Sequence, residues 1–385
     1  MKFVFYANSA SPHQFPLARA LVGRLGDSEY RYIYTNALTD ERRRLGWGDL
    51  NAKWIVFKAD VPDKCREWLD ECDVLMSNLR DLSLFERRTK AGRKTIYTSE
   101  RWFKPRLGIL RLLIPSYWKM ARRIVSLLES SRNFFYFPMG VHAARDMARL
   151  CELMHGDVRC MFRAPKLEFE KKPGGRIWIK DGADNERYCL GKMRMWGYYV
   201  EPSKVKGVRD ALPTTNHHTL TTIKVLWVGR ILDWKRVDTI VRAVGELSRA
   251  SSNSNFHIQL DIYGTGPDEK RLKKLAAKYG DIIKFFPPVP IADVRKLMHE
   301  HDIYVLASNA YEGWGAVVSE ALEEGMKVLG TYEAGSSATI LPEANLFNSG
   351  DWRRLYRLLQ GQVASCGIGD WSAEYAAKSL LEFMI

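Results

Sequence analysis

The sequence predicts an α/β protein made of two doubly wound domains that face each other across a cleft. Three observations lead there. At 385 residues the chain is longer than one ordinary domain. Two separate stretches alternate short apolar runs with amphipathic helices, the pattern of parallel sheets covered on both faces. Between them, residues 201–222 are polar and without period, as a link between domains should be.

Apolar residues make up 46% of the chain and aromatics 12%, enough for each domain to bury a core, which excludes a disordered protein. The six cysteines are scattered with no C-x-x-C pair, so they read as reduced, buried thiols rather than a disulfide framework or a zinc site. The opening MKFVFYANSASPHQF returns to polarity too soon for a signal peptide and reads as a first strand. LGILRLLIPSYW is interrupted by Arg111 and Pro115 and is too short to span a bilayer. The chain is therefore expected in the cytoplasm, in solution or held peripherally on the inner face of the plasma membrane. A formal charge of +14 calls for an anionic partner, and nucleic acid, anionic lipid and a nucleotide diphosphate all qualify.

In the first half KFVFYA, YRYIYT, KWIVF, DVLMSN and KTIYTS are strand-like, and HQFPLARALVGRL, PDKCREWLDEC and residues 116–129 are helix-like. KLEFEKKPGGRIWIK places two alternating runs around Pro-Gly-Gly, a β-hairpin. The second half begins with the strand IKVLWVG and a helix whose Val237, Ile240, Val241, Val244 and Leu247 share one face. FHIQLDIYG, the basic helix DEKRLKKLAAKYG, IIKFF, ADVRKLMHEH, DIYVLAS, a helix through Glu320 and MKVLG follow, and SAEYAAKSLLEFM closes the chain as a helix. The expected partition is a first domain over 1–205, a link over 206–222, a second domain over 223–365, and a last helix within 366–385 packing back on the first domain.

Ligands of open parallel sheets sit beyond the C-terminal ends of the strands. Three segments of the second domain converge there. In VLWVGRILDWKR, Gly229 ends a strand, and Arg230 and Lys235 follow it with a flat fork and a point charge suited to a diphosphate. Two solvated surface cations explain the same residues equally well. In DIYGTGPDEKRL, Gly264 opens a strand–helix turn that lets a ligand approach the backbone, although many such turns look alike. In YEGWGAVVSEALEEG, Gly313, Trp314 and Gly315 form a helix entrance whose N–H groups can face a phosphate or a sugar hydroxyl. Glu312 stands before that entrance, and Glu320 follows with seven residues between. Carboxylates accept well from vicinal hydroxyls.

On these three segments, in this order, residues 223–340 resemble the family-4 retaining glycosyltransferases (glycosyl transferases group 1). The resemblance implies the GT-B fold of two Rossmann-like domains and transfer of a hexose from a nucleotide-sugar donor with retention at the anomeric carbon. It implies that Arg230 and Lys235 hold the donor diphosphate and stabilise the leaving group. It also implies that Glu312 binds the donor sugar with backbone help from 313–315, and that Glu320 holds the ribose. Trp314 stands where the family typically has phenylalanine, and EAGSSATIL, with Ser336 and Ser337, stands in place of a Gly-rich segment near the phosphates. No D-x-D pair occurs in the chain, so positive side chains are expected to do the work of a divalent cation, with no metal and no cofactor.

The first half departs from the family. NSASPHQFPLA replaces a Gly-Gly pair after the first strand, and IYTSERWFK places Glu100 and Arg101 where a histidine is common. His13, Glu100, Arg101 and His142 are the acceptor-side candidates, though capping or surface roles account for His13, Glu100 and His142 somewhat better. MRMWGYYVEP resembles the stretch that closes the first domain in some members. The acceptor is expected to be a saccharide or a lipid-linked one, in the synthesis of cell-surface polysaccharide or glycolipid. The aromatic and basic segment SERWFKPRLGILRLLIPSYWKMARRIV fits an anionic membrane surface and fits a core-facing helix with a solvated basic face equally well. The remaining readings are a sugar-nucleotide epimerase or phosphorylase, a non-catalytic sugar-nucleotide sensor, and a nucleic-acid-binding protein. The last has little support, because the basic residues are spread through both halves without a recognition motif.

Overall fold

A computed structural model describes residues 1–44, 52–163, 165–180, 188–203, 221–251, 256–361 and 363–385. The chain divides into two compact units, one of Met1–Asp40, Trp47–Tyr199 and Asp370–Ile385, the other of Glu41–Gly46 and Val200–Gly369.

Among the described residues of unit 1, six parallel strands form one sheet: β1 (Phe3–Ala7), β2 (Tyr30–Tyr34), β3 (Ile55–Phe57), β4 (Val74–Ser77), β5 (Lys94–Ser99) and β6 (Phe134–Pro138). Their order is β3-β2-β1-β4-β5-β6, which reverses direction between β1 and β4. Every residue of β1 is buried, as a central strand covered on both faces requires. The covering helices are α1 (Phe15–Leu25), α3 (Pro62–Glu71), α4 (Leu82–Lys90), α5 (Pro115–Ser130) and α6 (Val141–Met154), while the short α2 (Asp40–Arg44) falls, but for Asp40, in unit 2. The hairpin read from Pro-Gly-Gly is an antiparallel pair, β7 (Leu167–Phe169) with β8 (Ile177–Ile179).

Unit 2 repeats this topology. Its elements are β9 (Thr221–Val228), α7 (Val237–Ala250), β10 (Phe256–Tyr263), α8 (Glu269–Ala276), β11 (Ile283–Phe286) and α9 (Ile291–Glu300). After these come β12 (Ile303–Leu306), α10 (Val317–Glu323), β13 (Lys327–Thr331), α11 (Gly335–Ile340), β14 (Leu346–Phe347) and α12 (Trp352–Gln360). The sheet order is β11-β10-β9-β12-β13-β14, again parallel throughout and reversing between β9 and β12. The α7 stripe Val237, Ile240, Val241, Val244 and Leu247 is buried in one core with Val225, Leu260 and Ile262 of the sheet and Leu355 and Leu359 of α12.

The last helix, α13 (Ala373–Met384), belongs to unit 1. It packs on α1, sets Phe383 against Phe135 and Phe137, and buries Ala376, Ala377, Leu380 and Met384. Its cap is Ser372, whose Oγ accepts from Tyr375 N at 3.2 Å.

Several elements differ from the sequence reading. FFYFP, here β6, is a continuous aromatic run that the reading passes over, and LSLFERRTK, here α4, carries no long apolar stripe and is not included in it. Most of the expected link, 204–220, lies outside the described residues. Thr221 and Thr222, assigned to that link, belong to β9 and pair with Phe256 and His257. Among the described residues no helix is long and apolar enough to cross a membrane.

Candidate active site

Side chains that follow neighbouring strands meet where strand order reverses. In unit 2 the connection after β9 carries Gly229, Arg230 and, through the 3-10 turn Asp233–Lys235, Lys235. The connection after β12 carries Ser308 and Glu312. The two connections meet. Lys235 Nζ donates to Glu312 Oε2 at 2.5 Å, and Ser308 Oγ donates to the same oxygen at 2.8 Å. Asn309 N donates to Trp234 O at 2.9 Å and ties the two backbones together. The Lys235 ammonium also lies 4.5 Å from the centre of the Trp234 ring, an added attraction for the cation.

Tyr304 on β12 is wholly buried, and its hydroxyl donates to Val228 O at 3.4 Å. Burial raises its pKa well above the ordinary tyrosine value, and the charges of Glu312 and Glu320 raise it further. The Tyr304 hydroxyl therefore lies in the field of both acids.

Gly264 has a structural explanation that needs no ligand. A Cβ there would lie 1.9 Å from Gly229 O, and one on Gly266 would lie 2.2 Å from Ile231 O. Ile231 N donates to Thr265 O at 2.9 Å, so the two strand-end loops run in backbone contact. Gly-Thr-Gly is what lets them approach.

The 313–315 stretch is held by α11. Gly335 N donates to Gly313 O at 3.1 Å, Ser336 N to Trp314 O at 2.8 Å, and Ser336 Oγ to Gly315 O at 2.9 Å. The Trp314 side chain is wholly buried, so this residue has only its backbone to offer a ligand. Ser336 and Ser337 are also wholly buried and serve the packing of the loop. Glu320 lies half-buried on α10, and Arg230 is exposed.

The unit 1 candidates are more dispersed. His13 follows β1 and lines a cavity of about 10 Å³ with Gln14, Thr98, Trp196 and Tyr198, room for one water at most. Glu100 accepts from Lys104 Nζ at 3.0 Å. Arg101 lies 3.6 Å from Asp146, a buried acid that also accepts from the N–H groups of Trp102 and Phe103 at 3.0 and 3.1 Å. His142 stands in the first turn of α6. Sequence reasoning misses Ser308, Trp234, Tyr304 and Asp146. Trp234 adjoins Lys235 and Ser308 lies four residues before Glu312, so proximity in sequence is the available signal for those two. Among the described residues no group of three His, Cys, Asp or Glu side chains is placed to hold a metal ion.

Residues 209–360 match the model of the family described as glycosyl transferases group 1. An uncharacterized glycosyltransferase of Methanocaldococcus jannaschii, MJ1069, is 28% identical over 124 residues, which span 32% of this chain and 31% of that protein. The chain thus matches about a third of the length of that curated relative. Among solved structures, Anabaena Alr3699/HepE in complex with UDP has a TM-score of 0.60 at 13% identity, covering 100% of this chain and 99% of that one. The lipopolysaccharide outer core galactosyltransferase WaaB in its apo form has a TM-score of 0.60 at 12% identity, covering 99% and 98%. With two parallel sheets of the same strand order, the chain has the GT-B fold, and its residues 209–360 carry the glycosyl transferases group 1 match.

Proposed function

We propose that the protein is a retaining glycosyltransferase. It moves a hexose from a nucleotide-sugar donor to a saccharide or lipid-linked acceptor, without a metal ion, in the synthesis of cell-surface polysaccharide or glycolipid. The observation that carries this reading is the Lys235–Glu312 pair, drawn from the two sides of the strand-order reversal in unit 2. It sets a cation for a departing diphosphate beside a carboxylate for sugar hydroxyls. The family match over 209–360 and the UDP bound by HepE support a nucleotide-sugar donor.

In this reading Lys235 and Arg230 offset the charge that gathers on the diphosphate as its bond to the anomeric carbon breaks. The acceptor oxygen bonds to that carbon on the same face, and its proton passes to the departing phosphate oxygen. Glu312 orients the sugar and Glu320 the ribose. The contacts from Lys235 and Ser308 both fall on Glu312 Oε2, which leaves Oε1 to accept from a sugar hydroxyl.

The test is a thermal-shift screen against nucleoside diphosphates and their sugar conjugates, followed by assay of the selected donor with candidate acceptors in EDTA. The expected result is nucleoside diphosphate release only when acceptor is present, and a product that keeps the donor's anomeric configuration by NMR. Binding to none of the nucleotides would overturn the reading, and release without acceptor would favour another reaction on the same fold.

A further inference from the structure

The connection between β5 and α5 runs from residue 100 to 114, long for a strand–helix loop in a doubly wound domain. Its base is fixed. Trp102 is wholly buried, its N–H and that of Phe103 donate to Asp146, and Tyr117 donates its hydroxyl to Trp102 O at 2.7 Å. The Arg80 guanidinium lies 4.7 Å from the centre of the Trp102 ring.

From that base rises a 3-10 turn, Gly108–Leu113, with no buried residue. Leu107, Leu110, Leu113 and Ile114 are 48, 50, 76 and 44% exposed. A helix that turned its apolar residues to the core would have buried them, so the core-facing reading of the segment fails for this turn. Around the leucines the charge has one sign. Residues 101–128 hold seven Lys and Arg and no Asp or Glu. Arg101, Lys104 and Arg123 face acids elsewhere in unit 1, while Arg106, Lys119 and Arg122 are exposed.

We propose that this turn is a docking surface for an anionic lipid bilayer. The leucines enter the interface between headgroups and acyl chains, and Arg106, Arg111, Lys119 and Arg122 meet the lipid phosphates. The fixed base presents the leucines without an ordering cost at the moment of binding. Charge complementarity selects the occupant: a bilayer of anionic lipid offers both the apolar layer and the negative surface that this turn lacks.

The test is co-sedimentation of the full chain with vesicles of phosphatidylcholine alone and of phosphatidylcholine with phosphatidylglycerol, without nucleotide, so that its failure is separate from failure of the transfer reading. The chain is expected to bind the mixed vesicles at least tenfold more tightly than the neutral ones. The triple change Leu107→Ser, Leu110→Ser, Leu113→Ser is expected to lower that binding at least tenfold with an unchanged circular dichroism spectrum. Arg106→Glu with Lys119→Glu is expected to remove the preference for anionic lipid. Wild-type failure to bind, or equal binding by the triple variant, overturns the proposal. So does a wild-type dimer in sedimentation that the triple change makes monomeric, because the face would then join two copies of the chain.

Discussion

Lys235 and Glu312 stand 77 residues apart in sequence and 2.5 Å apart in space, one on each side of the strand-order reversal in unit 2. Each holds the other in place before a donor arrives. Glu312→Ala and Lys235→Ala are each expected to lower transfer at least about 100-fold. Each single change should cost about 1–3 kcal/mol of stability, and the double change less than the sum, since no charge is then left without its partner. Steady-state assays and a denaturant double-mutant cycle check this. Near-normal turnover in either single variant would remove that residue from the proposed site.

Glu320 is proposed to hold the ribose, away from the reacting carbon. Glu320→Ala should therefore raise KM for the donor about tenfold or more with little change in kcat, a hydrogen bond to a charged group being worth about 1.5–3 kcal/mol. A donor whose ribose lacks a hydroxyl should be disfavoured by the wild type and not by the variant. An unchanged preference would place Glu320 elsewhere.

Gly264→Ala sets a methyl group 1.9 Å from the Gly229 carbonyl oxygen at a residue with φ of 149°. It should destabilise the protein by about 3 kcal/mol or more. Gly23 in α1 has no neighbouring atom within 4 Å of a built Cβ, and Gly23→Ala should stabilise by about 0.5–1 kcal/mol. Thermal unfolding of the two variants, with and without donor, separates a packing role at Gly264 from a ligand-contact role.

Asp146 has a pKa raised from its ordinary value, by burial above all, against the lowering effect of Arg101 and the Phe103 N–H. The folded state thus holds this proton more tightly than the unfolded chain does. The resulting stability is present below about pH 4 and is lost as pH rises through the folded value. Asp146→Asn keeps an oxygen for the Trp102 and Phe103 N–H groups and does not titrate. The variant is expected to lose less stability than the wild type between about pH 3 and pH 7, measured by urea unfolding across that range. Parallel profiles for the two proteins would refute it.

The strands legible in the sequence are those with continuous apolar runs, such as KFVFYA and IKVLWVG, because burial on both faces leaves no place for polar residues. The Glu312 and Glu320 spacing is legible because it is local. Their surroundings are less so: the Lys235–Glu312 contact is made by the fold, and no period in the chain encodes a meeting of two loops. Gly264 reads as a ligand contact because sequence shows that a side chain is missing and not what occupies its space. Asp146 escapes notice because an acid on an amphipathic helix looks like any surface residue until burial is known.

Helix α13 completes unit 1, yet it is the last of the described helices along the chain. During synthesis on a ribosome, residues 3–138 emerge before residues 200–369 of unit 2, with the surface of α1 and the Phe135 and Phe137 rings uncovered until those residues and α13 have followed. The unit begun before unit 2 is thus sealed after it, and its exposed apolar seam is open to chaperones or to misassembly for that interval.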